Sequence, residues 1–337
     1  KNSYTGTYGF SSSMSLYRGG ELRLNLKQQQ LQDKIQELYI QEAENNIEIA
    51  ITESYLQVLY AAEAVEINKK TVEISAAQCD RARELYAAGD IAQSDLAQLI
   101  SQYSADKYQL VVAQATLEEK KLELKQLLEL DISAVVELNV PAIQESDVLQ
   151  RLPSKEVVYA AALDFMPEIK SSQLAVNSAE YDVAVARSGY LPSLDLTAGI
   201  GSTHSSGSDY SFSRQMKNNF NESIGLTLSV PIYSNRKNKS AVKIARLKVE
   251  NADLEYLNMH KDLLKTVETV YLDAVSSQDR YRSAMESMNA ARRSFALVQE
   301  QFNLGMKNTL EMLTEKNNLL IAQQEIIQAK YMAILSQ

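Results

Sequence analysis

The sequence of 337 residues has no tryptophan, one cysteine and two histidines. Cys79 alone excludes an intrachain disulfide, and with only His204 and His260 beside it a His/Cys metal site is not expected. Eleven glycines and five prolines leave few places where the chain can turn, so long uninterrupted helices follow. No stretch reaches the roughly 18 to 20 apolar residues of a membrane-spanning helix, and Lys1 to Ser15 lacks a signal peptide's apolar core. If the chain meets a bilayer, it does so with strands. The 34 basic and 43 acidic side chains give a formal net charge of -9. Without a clustered Lys/Arg stripe this excludes nucleic acid as a partner, because affinity there rests on neutralising phosphates. No Gly-rich phosphate loop, nucleophile elbow or paired-carboxylate arrangement is recognisable, so neither an enzymatic activity nor a cofactor is expected.

What is present is helical periodicity on an unusual scale. Residues 21 to 130 contain no proline and a single glycine, Gly89, which reads as two helices joined at that residue. The first, from about Glu21 to Ala88, would run about 100 Å at 1.5 Å per residue. Ile47, Ile51, Tyr55, Val58, Ala62 and Val65 recur every three or four residues and form a stripe that needs a partner helix. A second such helix is expected from Lys237 to Leu304, with Leu263, Leu264, Val267, Val270, Tyr271 and Ala274 on one face and Gly305 at its end. A last helix follows over 308–336. One constant offset, the separation of Gly89 from Gly305, also relates Tyr17 to Tyr233, Leu31 to Leu247, Leu38 to Leu254, Tyr55 to Tyr271 and Glu84 to Glu300. That single offset over two helices of such length marks an internal repeat.

Each long helix is preceded by a segment with period-two alternation. In the second copy it is Ile224, Leu226, Leu228, Val230 and Ile232; in the first, Tyr8, Phe10, Ser12, Met14 and Leu16. A third run, Leu194, Leu196, Ala198 and Ile200, follows Leu191-Pro192. It would form a hairpin with the Ile224 strand through a long outer loop from Gly201 to Glu222. A matching strand and helix ahead of Tyr4 are expected in the first copy, as is any leader. The organisation is therefore a first repeat over 1–130, a connector over 131–153 and a second repeat over 154–337. The second repeat has helices within 154–188 and the hairpin within 191–233. Pro167 suits the first turn of its helix, with Glu168 favourable beside it.

Several fragments, in order, carry a family resemblance. They are Pro167-Glu168-Ile169 through Ala184, Ala186 and Arg187, then Tyr190-Leu191-Pro192-Ser193-Leu194, Leu228-Ser229-Val230-Pro231-Ile232-Tyr233, and the turns at Gly89 and Gly305. Together with the repeat, they make the chain resemble the outer-membrane efflux proteins of the TolC type. The resemblance implies a mainly α protein with a β-barrel part: a homotrimer in which each protomer gives four strands to a twelve-stranded outer-membrane barrel. The long helices would continue from it as a periplasmic tunnel. It also implies an exit duct of a tripartite efflux pump or type I secretion system in a Gram-negative bacterium. The partners would be a periplasmic adaptor, an inner-membrane pump of the RND or ABC type, and outer-membrane lipid. The residues agree, since strands with one apolar face must close a barrel to satisfy their backbone groups in lipid. A structural coiled-coil trimer, such as a fibre or an adhesin, would share the long helices but has no need of alternating strands.

The same resemblance assigns roles at the turns. Gly89, Asp90, Gly305 and Met306 would lie at periplasmic tips that contact the adaptor. Glu311 would be a pore-constriction acid, with Thr314 where the family has a second acid and Glu315 beside it as a substitute. Asp95, Lys307 and Phe302 would form a latch of the closed tip. Simpler readings stand beside these: a glycine is the ordinary terminator of a helix, and an acid in a first turn complements the helix dipole.

Overall fold

The computed structural model describes residues 3–131 and 144–337. The elements run β1 (Thr5–Arg18), α1 (Glu21–Ala88), α2 (Gln93–Leu127), α3 (Glu145–Val148), α4 (Lys155–Phe165), α5 (Pro167–Ser188), β2 (Ser193–Ser205), α6 (Phe212–Asn218), β3 (Asn221–Ser229), α7 (Lys237–Asn303) and α8 (Thr309–Leu335). The chain divides into two compact units. One comprises the chain up to Glu42 with Phe165–Asp262, the other Ala43–Asp164 with Leu263–Gln337. Most of the 131–153 connector lies outside the described residues.

In the first unit the three strands form an antiparallel sheet in the order β1-β2-β3. Its register aligns Met14 with Leu196 and Leu226, and Ser12 with Ala198 and Ile224. Because side chains alternate across a strand, these residues share one face. Ser13, Thr197 and Gly225, with Ser15, Asp195 and Thr227, share the other. The apolar face is open: Phe10 is 82% exposed, Ile224 81% and Leu226 67%.

The sheet departs from the period-two reading at both ends. β2 continues through the polar residues Gly201 to Ser205, because its backbone pairs with Thr5–Gly9 of β1 whatever its side chains are. β3 stops at Ser229, so Val230 and Ile232 lie outside the strand; Pro231 between them has no N–H to give a ladder. The expected outer loop contains a helix, α6. It is fastened to β2 by Ser202 Oγ donating to the Met216 carbonyl at 2.8 Å and Asn219 Nδ2 donating to the Thr203 carbonyl at 2.6 Å. The side chain of Gln215, 5% exposed, accepts from the Ser205 N–H and donates to the Tyr210 carbonyl.

The element boundaries keep one interval. β1 and β3 begin at 5 and 221, α1 and α7 at 21 and 237, and α2 and α8 at 93 and 309, so each pair is separated by the offset that relates Gly89 to Gly305. The corners that precede the long helices follow the same interval. Gly19 and Gly20 have φ of 55° and 84°, and Asn235 and Arg236 have φ of 47° and 62°. Two successive left-handed residues therefore turn the chain from strand to helix at each place. At Gly19 a Cβ would come within 2.7 Å of Leu191 Cβ and 2.8 Å of the Ser188 carbonyl, so only glycine fits.

In the second unit α1 buries one line of residues, Ser54, Val58, Ala61, Asn68, Thr71, Ser75, Cys79 and Ala82, at intervals of three, four or a full heptad, and beside it Leu56 and Leu59 against Tyr331. Half of the first line is polar, so an apolar stripe traces it only in part. Val58 is fully buried, whereas Ile47 is 55% exposed. Asn68, Thr71 and Ser75 return hydrogen bonds to carbonyls four residues back, which lets a polar side chain enter a seam without an orphaned donor. The connector's described end is anchored: Val148 is fully buried against Tyr281 and Ala333, and Gln278 Nε2 donates to the Gln150 carbonyl at 2.8 Å.

The corners generate a stability prediction. A non-glycine residue in the left-handed region costs about 1–2 kcal/mol, and glycine gives back roughly 0.5–1 kcal/mol in chain entropy. Arg236→Gly is expected to stabilise by about 0.5–1 kcal/mol, and Gly19→Ala to destabilise by more than that, measured by denaturant unfolding in detergent.

Candidate functional site: the turns at Gly89 and Gly305

The turns at Gly89 and Gly305 are built alike. Each glycine is left-handed, with φ of 85° and 72°. The N–H of Gly89 bonds the Tyr86 carbonyl and that of Asp90 the Leu85 carbonyl; Gly305 and Met306 repeat the pattern on Phe302 and Gln301. This glycine-terminated arrangement satisfies the carbonyls that a helix end leaves open. Nothing lies within 4 Å of the place a Cβ would take at either glycine, so conformation and not crowding demands them. Gly89, Asp90, Gly305 and Met306 are all exposed.

Beneath the turns, Ala82, Leu99, Phe295, Met312 and Leu313 form a buried cluster, with Phe302, Ile91 and Leu96 packed against it. Phe302 is thus partly buried core. The two returning helices start differently. Ala92, the residue before α2, offers no side-chain cap, whereas Asn308, its counterpart in the second copy, caps α8. Asn308 Oδ1 accepts from the Glu311 N–H at 2.9 Å, and Glu311 Oε2 accepts from the Asn308 N–H at 3.2 Å. This reciprocal pair satisfies two orphan donors.

Glu311 also accepts from Lys307 Nζ at 2.6 Å. The Lys307 hydrogen bond first, and the Asn308 N–H second, hold its carboxyl below the usual glutamate range. Lys307 therefore serves Glu311, and among the described residues no ion pair joins it to Asp95, which is half-buried in the first turn of α2. Thr314 is exposed and its hydroxyl donates to the Leu310 carbonyl at 2.8 Å. Glu315 accepts from Ser294 Oγ of α7 at 2.7 Å.

The periodicity reading overlooked two polar nodes between α8 and the first helical pair. Lys316 pairs with Asp106 of α2, and Ser75 of α1 hydrogen-bonds both; each of the three is no more than 4% exposed. Gln102 Nε2 adds a hydrogen bond to Asp106 at 2.8 Å. Farther along, Glu63 accepts from Lys330 Nζ at 2.6 Å and from Tyr331 Oη at 2.9 Å. Burial foremost, then Glu63, pushes the Tyr331 hydroxyl up. A lysine flanked at three and four residues by Met312, Leu313, Leu319 and Leu320 on α8 was the available signal for the first node.

An antiparallel sheet with one apolar face, leading through left-handed corners into helices of 68 and 67 residues, is the architecture of an outer-membrane channel. Residues 158–336 match the family model described as Outer membrane efflux protein, and the chain belongs to that family, the TolC-type channels of the outer membrane. It is similar to the outer membrane efflux protein BepC of Brucella suis, with 22% identity over 98% of this chain and 70% of the relative. It is likewise similar to the outer membrane protein TolC of Escherichia coli, 24% identical over 91% of this chain and 63% of that protein. The chain thus spans about two thirds of the length of these relatives. Among solved structures, the outer membrane protein VceC of Vibrio cholerae shares the fold, with a TM-score of 0.78 and 14% identity over 99% of this chain and 85% of that one.

The capping geometry sets the expected effect of changes at both helix starts. Asn308→Ala is expected to lower stability by about 1 kcal/mol and Ala92→Asn to raise it by a similar amount, read from the helical melt in detergent. Because the Glu311 value is depressed, the stability it contributes is complete above the ordinary glutamate range, about 4.3, and is lost as pH falls from there through the lowered value. Its carboxyl resonance should titrate below about 4.3 and move upward in Lys307→Met, where the larger cause is removed.

Proposed function

We propose that the chain is a subunit of a passive exit duct, through which an inner-membrane pump of the RND or ABC type and a periplasmic adaptor deliver substrates across the outer membrane. The observation that carries this reading is the sheet. Its apolar face is exposed at Phe10, Ile224, Leu226 and Leu228, and the outer edges of β1 and β3 pair with no other described strand. In lipid, such edges are satisfied only by closure into a barrel. Closure calls for strands from several copies, and the family resemblance makes that assembly a homotrimer whose barrel opens into a helical tunnel.

In this reading the tip residues Gly89, Asp90, Gly305 and Met306 meet the adaptor. Glu311, with Glu315 and Thr314 on the following turn, lines a narrow axis. Three carboxylates around such an axis favour cations. The tip is held closed by contacts of Asp95, Lys307 and Phe302, and a latch between Asp95 and Lys307 requires Lys307 to exchange its Glu311 partner. Exposed ion pairs contribute only roughly 0–1 kcal/mol each, so a closed tip needs several of them across three protomers.

Single-channel recording of the full-length protein in a planar bilayer, with its mass in detergent, tests the proposal. A trimer with small cation-favouring conductance that rises severalfold in Asp95→Ala or Lys307→Ala is expected. A particle extracted without detergent and showing no conductance would overturn it in favour of a structural coiled coil.

A further inference from the structure

We propose that the buried Lys316–Asp106–Ser75 node sets the register between the helical hairpin α7–α8 and the hairpin α1–α2, and that Lys316 thereby acts as a positioning residue for the tip acids Glu311 and Glu315. The second clause rests on the channel reading; the first does not.

The apolar part of the seam leaves one coordinate undetermined. Each hairpin is held internally by a short turn, so what remains free is the sliding of one hairpin along the other. On α8 the residues at seven-residue intervals are nearly interchangeable: Leu313, Leu320, Ile327 and Ile334 form one row, and Met312, Leu319, Ile326 and Ala333 another. A displacement of one heptad, about 10.5 Å, would therefore set apolar residues against apolar residues again. Hydrophobic burial is non-directional and discriminates weakly between such registers. The third row is different, for it reads Thr309, Lys316, Gln323 and Lys330. Only Lys316 of this row meets a fully enclosed carboxylate, with Asp106 and Lys316 each 4% exposed.

A one-heptad slip would place Thr309 or Gln323 opposite Asp106, leaving a buried carboxylate without its cation. Losing one partner of a buried pair is strongly unfavourable, while the pair itself adds little stability over an apolar replacement. A single polar residue at a coiled-coil seam position specifies register in this way. The node reaches both helices of the first hairpin, since Ser75 lies on α1 and Asp106 on α2, so α8 is fixed in rotation as well as in height. Glu311 precedes Lys316 by five residues, about 140° round the helix, and Glu315 adjoins it. With Lys316 held in the seam, both carboxylates keep a fixed direction.

The test uses the full-length protein with Cys79→Ser and spin labels at the exposed positions 66 on α1 and 324 on α8, read by pulsed dipolar spectroscopy, alongside bilayer recording. Three backgrounds are compared: the unaltered node, the apolar pair Asp106→Leu with Lys316→Met, and the reversed pair Asp106→Lys with Lys316→Asp. The apolar pair is expected to melt no lower than the unaltered protein. Its label distances should spread at least twofold and its conductance break into several levels. The reversed pair is expected to restore one narrow distance and one level. A narrow, unchanged distance in the apolar pair would overturn the register assignment. Absence of conductance in the unaltered protein would instead overturn the channel reading, with the distances still deciding the register.

Discussion

A helix of nearly seventy residues has no globular core to lie on, and its tertiary stabilisation comes from the one seam that it buries. In the second unit this seam runs along α1, α2, α7 and α8, and the rest of the architecture answers to it. The glycine turns must bring the returning helix back onto it, the caps must start that helix in phase, and the described end of the connector is pinned to it through Val148. Such a seam can be long without being strongly apolar. Asn68, Thr71 and Ser75 are buried in α1 beside Val58 and Ala61, and side chains that bond their own helix let backbones approach without stranding a donor.

Much of this was legible in the sequence because it is written in what interrupts helices. Gly89 and Gly305 marked both tips, Pro167 the start of α5, and the interval between the two glycines fell on element starts that composition alone could not locate. The outer loop was not legible. α6 is held by Gln215, Ser202 and Asn219 bonding to backbone groups, and hydrogen bonds across a loop leave no periodic trace. Nor could period two show where the strands stop, since β2 is extended by its neighbour and β3 is cut short next to Pro231.

At the candidate site, residue types were legible and partners were not. Glu311 and Lys307 stood out from their placement after Gly305, yet their pairing with each other and with Asn308 is a matter of first-turn geometry. The Asp106–Lys316 node lies 210 residues apart in the chain, beyond the reach of any local spacing rule. A lysine flanked three and four positions away by apolar residues of α8 was its only trace.

The paired corners before α1 and α7 hold the same left-handed geometry with different residues, and this makes them unequal under mutation. Gly19 is boxed in by Leu191 and the Ser188 carbonyl, so drift at that position meets a wall. Asn235 and Arg236 occupy the equivalent bend with side chains exposed to their surroundings, and that bend can accept new chemistry at the modest cost of a left-handed backbone. Of two positions that do one geometrical task, one is closed to substitution by its neighbours and the other stands open to it.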